Sequence, residues 1–116
     1  MTEVKPDSAE TRGLLEQVAQ GDRSALGRLL QRYRPRLQAF IGARLDPQVR
    51  SRVDPSDVVQ EVQLEVTRRM DDFLNRNPMP FHLWVRKTAY YYSVRYLNPR
   101  RGFRHLILYE DLYSRS

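Results

Sequence analysis

Apolar residues recur three and four positions apart in four separate stretches of this chain, and turn or cap residues bound each stretch. That spacing places the apolar side chains of a stretch on one face of an α-helix, where a half-buried strand would need strict alternation. Ser8 suits the cap of a helix over 9–20, with Leu14, Leu15 and Val18 as its stripe. Gly21 closes it and Asp22 caps the next. The second helix spans 23–45 and turns Leu26, Leu29, Leu30, Tyr33, Leu37, Phe40, Ile41 and Leu45 toward a core. Pro35 inside it removes a backbone donor and predicts a kink near Arg32. Residues 46–53 read as a linker.

A third helix starts at the cap Asp54, with Pro55 at its first position and Asp57 in its first turn. Val58, Val59, Val62, Val66, Met70 and Phe73 share its apolar side. Pro78 and Pro80 make 75–80 a turn. The fourth helix runs over 81–97, with Phe81, Val85, Thr88, Ala89, Tyr92 and Tyr96 as its inner stripe, Trp84 at the border and Asn98-Pro99 as its stop. The expectation is one all-α domain, a small helical bundle of about four helices over 9–97. Residues 1–8 read as a flexible N-terminal tail and 98–116 as a divergent C-terminal tail whose apolar part, 103–109, fits a strand, a helix or irregular packing.

The 116 residues carry a net charge of +6 and no cysteine, which rules out disulfides and thiolate metal sites and fits a cytoplasmic protein. No apolar run is long enough to span a membrane, and the first residues lack the apolar stretch of a signal peptide. Positive charge favours a polyanionic partner, nucleic acid before membrane. Its distribution is uneven. From Phe73 to Tyr109 there is no acid, while Arg76, Arg86, Lys87, Arg95, Arg100, Arg101 and Arg104 fall there. The third helix collects acids instead, so two contact surfaces of opposite character are expected.

The third helix's polar side holds Asp57, Gln60, Glu61, Leu64 and Arg68. Leu64 is a large apolar residue ringed by polar ones, as the centre of a protein–protein contact often is. The same face also reads as a solvated surface with i,i+4 pairs such as Glu65 with Arg69. On the fourth helix, Arg86, Lys87, Tyr90, Tyr91 and Arg95 combine phosphate-neutralising cations with rings on which unpaired bases stack. Tyr90 and Tyr91 also suit covering a neighbouring helix, and Trp84 reads as core rather than base-contacting.

Asp57-x-x-Gln60-Glu61, then Phe73, then Pro80-Phe81-x-x-Trp84-Val85, resembles region 2 of bacterial sigma factors of the sigma-70 family, above all the extracytoplasmic-function group. The likeness runs from about Leu14 to about Leu97. It implies a sigma region 2-like helical domain that binds core RNA polymerase and promoter −10 DNA for transcription initiation. By position, Asp57, Gln60 and Glu61 would meet the clamp coiled coil of the β′ subunit, with Leu64 added from helical geometry. The fourth helix and the loop 74–80 would capture melted DNA, and an anti-sigma factor is a further partner of the kind the family uses. The chain departs from the family in the distal half of that helix, with Tyr91, Arg95 and Asn98 where Asn, Asp and Arg are usual. It also leaves no room after Gly102 for the second, −35-reading domain, region 4.

Enzyme readings are weak. No phosphate-binding glycine loop or nucleophile elbow occurs, and His82 and His105 have no partner at ligand spacing. No cofactor or metal is implied. Two other functions fit the same residues: a polymerase-binding adaptor or decoy without initiation activity, and a non-specific nucleic-acid-binding helical module.

Overall fold

The computed structural model describes residues 5–97, apart from the side chains of Arg50, Tyr96 and Leu97. These residues form five α-helices and no strand: α1 (Ala9–Ala19), α2 (Arg23–Arg44), α3 (Pro47–Arg50), α4 (Pro55–Arg76) and α5 (Phe81–Leu97). The C-terminal tail expected over 98–116 lies outside the described residues.

The helix starts follow cap chemistry. Ser8 Oγ accepts from the Thr11 amide at 3.2 Å. Asp22 accepts from the Ser24 and Ala25 amides at 3.0 and 3.3 Å. Asp54 accepts from the Ser56 amide at 2.9 Å, with Pro55 first in the helix. The Ser24 hydroxyl, donating at 2.6 Å, leads the contacts that hold the Asp22 carboxyl below its ordinary value of 3.8, while burial opposes them. A lowered carboxyl stabilises the fold above its ordinary value, and that contribution is lost as pH falls through the lower, folded value. Two ends use the left-handed region. Gly21, at φ 95°, turns the chain between α1 and α2. Asn77, at φ 46°, ends α4 with its amide donating to the Phe73 carbonyl at 2.7 Å.

Pro35 does not end α2, which is helical on both sides of it. The turn before a proline is pushed open, and α4 reaches that turn with Gln63. The Gln63 amide donates to the Leu30 carbonyl at 3.2 Å, and its oxygen accepts from Arg34 Nη1 at 3.1 Å. The expected linker also gains structure: Asp46 caps the single-turn α3, accepting from the Val49 amide at 2.9 Å, and Val49 is buried.

One core joins the long helices. Leu29, Leu37 and Ile41 of α2 meet Val58, Val62, Val66 and Met70 of α4 and Val85 and Ala89 of α5. At its end, Trp84 stacks on Phe73 (centroids 4.4 Å, 15° between planes), and Phe81 sits edge-on to Tyr33, Phe73 and Trp84 at 5.3, 5.7 and 5.8 Å. Trp84 is therefore core and not a border residue. The Tyr33 hydroxyl shares a buried 3.0 Å hydrogen bond with Thr11, which pins α1 to α2. The segment expected to be a flexible tail is tied down as far back as Lys5. Asp7 accepts from the Phe81 and His82 amides at 2.7 and 2.9 Å, and the His82 ring bonds the Lys5 carbonyl at 2.7 Å.

Candidate protein and nucleic-acid interfaces

On α4, the i, i+3, i+4, i+7 spacing of Asp57, Gln60, Glu61 and Leu64 gathers them on one side. Asp57 and Gln60 are exposed and Glu61 is half-buried. Leu64 is 64% exposed, although it stands in a helix whose other large apolar residues are buried or half-buried. Glu61, Leu64 and Arg68 line a groove of about 560 Å³ whose opposite wall is Tyr92 and Arg95 of α5.

Glu65 corrects the expectation of a solvated acid on this face. It is buried, and the Arg68 and Arg69 guanidiniums both pair with its carboxylate. Burying a carboxylate is costly unless it is paired, so this acid is committed to the fold. Tyr92, facing the same groove, has its phenol pushed up to about 12, first by burial and then by the Glu65 charge. An acid whose folded value is raised contributes stability that is whole below its ordinary value of 10.0 and lost as pH rises through the folded value. Urea midpoints should therefore fall between about pH 10 and about pH 12 more steeply for the native chain than for Tyr92→Phe. Equal slopes would clear Tyr92 of this role.

The five α5 residues expected on DNA do not share one surface. Arg86, Lys87 and Tyr90 are exposed, and Tyr90 is 49% exposed. Arg95 is exposed in the α4–α5 groove beside Leu64. Tyr91 is 4% exposed and edge-on to Tyr92 at 5.0 Å, so it is no part of an outer face. The difference has a physical cause. Aromatic residues stand on every side of α5, so the helical wheel marks no unique buried face. Ser93, also buried, turns its hydroxyl back onto the Ala89 carbonyl at 2.8 Å.

The structure adds residues from α2 to the Arg86–Tyr90 side. The Arg44 guanidinium lies 3.9 Å from the Phe40 ring centre and 5.7 Å from that of Tyr90. Arg86 lies 6.0 Å from Phe40, and Arg36 lies 5.5 Å from Tyr33. The signal in the chain is Arg36-x-x-x-Phe40-x-x-x-Arg44, which repeats the i,i+4 step of Arg86 and Tyr90. Phe40, a core position of α2 by its spacing, is only half-buried. The two surfaces share no lining residue: one is built on the α4–α5 groove, the other on the α2–α5 seam.

Compared with protein-family models, curated proteins and solved structures, the chain matches none. Among the described residues, no helix is long and apolar enough to cross a membrane.

Proposed function

We propose that this domain works as a sigma factor region 2, with α4 docking on core RNA polymerase and α5 on promoter −10 DNA. One observation carries the reading. Among the described residues, the large apolar side chains left exposed are Leu64 and Tyr90, and each falls in one of the two faces that the chain's polar patterning sets apart. A solvent-exposed leucine among Asp57, Gln60 and Glu61 suits a partner that is basic with an apolar centre, as the β′ clamp coiled coil would be. The carboxylates would steer and orient the encounter, and burial of Leu64 would add affinity. An exposed tyrosine beside Arg86 and Lys87 suits bases released from a duplex. Binding energy on the two faces would then be spent on opening DNA.

The test is retention of core RNA polymerase by the native chain beside Asp57→Arg/Glu61→Arg. The variant is expected to lose about tenfold in affinity for polymerase and to keep its affinity for a single-stranded oligonucleotide within about twofold. Loss of both together would mean the faces are not separate. Absence of retention by the folded native chain would overturn the polymerase half and leave a helical nucleic-acid-binding module.

A further inference from the structure

The arginines of this domain divide by their partners. Arg28, Arg32, Arg68, Arg69 and Arg76 each pair with a carboxylate. Arg36, Arg44, Arg86 and Arg95 are exposed, pair with no carboxylate among the described residues, and lie against ring faces instead, Arg95 on Tyr92 in the α4–α5 groove and the other three around α2. A paired arginine has its charge largely neutralised, whereas the three around α2 keep theirs. Around the α2–α5 seam the order is Arg86, Phe40, Arg44, Tyr90, cations and rings in alternation, with Phe40 flanked by two guanidiniums. Three like charges gathered this way repel one another, and a polyanion relieves that repulsion.

We infer that α2 supplies the second half of the nucleic-acid surface: a single strand crosses from α5 onto α2, its phosphates on Arg36, Arg44 and Arg86 and its bases against Phe40 and Tyr90. The strand is single because the rings and the flat guanidiniums offer stacking surface, which only unpaired bases can use. Arg36, Phe40 and Arg86 also border a pocket of about 210 Å³ with His82 at its edge, so the seam is recessed where the strand would cross. This inference rests on the nucleic-acid half of the proposed function and extends it to a helix for which the sequence pattern implies no nucleic-acid role.

Fluorescence anisotropy with a labelled oligothymidylate of about 12 nucleotides, within the range one small module covers, separates the two. Arg36→Ala/Arg44→Ala should weaken binding about five- to tenfold at low salt. It should also lower the slope of log affinity against log salt by about 1.4, at about 0.7 for each single-strand phosphate that is no longer neutralised. Both side chains are exposed, so far-UV circular dichroism should not change. Arg44→Lys should keep the salt slope while losing about two- to threefold in affinity, because the charge stays and the stacking plane goes. If the α2 pair changes neither affinity nor slope while Arg86→Ala/Lys87→Ala weakens binding, the strand does not cross α2 and the α5 reading alone survives. If the native chain does not bind the oligonucleotide, both fail. Equal affinity for a duplex of the same length would overturn the role of the rings.

Discussion

Trp84→Ala should cost about 3–5 kcal/mol, the range for deleting a large aromatic side chain from a packed core. A domain of this size has about 5–15 kcal/mol of stability in total, so the variant would give up a large share of it, and nearly all of it at the lower end of that range. The reason is position. Trp84 is 1% exposed and stacked on Phe73, and Phe81 ties that pair to Tyr33. Three helices meet at this cluster, so the cavity borders all of them and no single side chain can swing in to fill it. The chain has one tryptophan, so far-UV circular dichroism in a urea titration is the measurement to use. Trp84→Phe keeps a ring on Phe73 and should lose under half as much. A loss below about 1.5 kcal/mol for the alanine variant would contradict this account of the core.

That cluster accounts for much of the resemblance to sigma region 2. Phe73 and Phe81-x-x-Trp84 are the part of the pattern that looks most specific, and both are interior packing. A stacked pair bridging two helices across a proline turn needs that spacing whatever the domain binds. Of that pattern, the residues left outside the core are Asp57, Gln60 and Glu61, so its proposed functional half rests on three positions of one helix.

Helix existence and the faces of α1, α2 and α4 were legible because caps and apolar spacing act locally. Ser8, Asp22 and Asp54 all cap where their sequence neighbours say they should. What was not legible depends on contacts distant in the chain. Tyr91 is buried because of how α5 is surrounded, which its own spacing does not encode. Glu65 looks like a surface acid in an i,i+4 pair, yet it is buried and lines a groove whose far wall, Tyr92 and Arg95, comes from α5. The α2 half of the candidate nucleic-acid face appears only once Phe40 and Arg44 lie beside Arg86 and Tyr90. Each of these required knowing how two helices meet.

Asp7→Ala should cost about 2 kcal/mol, at the upper end for losing a helix cap. The helix that loses it is α5, 74 residues further along the chain. Pro80 precedes α5 and offers no side-chain oxygen, so the first amides of the helix lack a local side-chain acceptor. The Leu83 and Trp84 amides bond the Pro80 carbonyl, both at 3.1 Å. Those of Phe81 and His82 go instead to the two oxygens of Asp7, at 2.7 and 2.9 Å. One carboxylate thus satisfies two part-buried donors and places a negative charge at the positive end of the helix dipole. The contact also closes the N-terminal segment over the start of the helix that carries Arg86 and Tyr90. Asp7→Asn keeps an acceptor oxygen and loses the charge, so it should fall about midway between the native chain and Asp7→Ala. Urea midpoints for the three proteins decide it. Equal midpoints for Asp7→Ala and the native chain would mean that water serves these amides as well as Asp7 does. A loss of about 2 kcal/mol would establish that Asp7 is structural, and that the proposed DNA-facing helix is held at its start by a residue no local pattern connects to it.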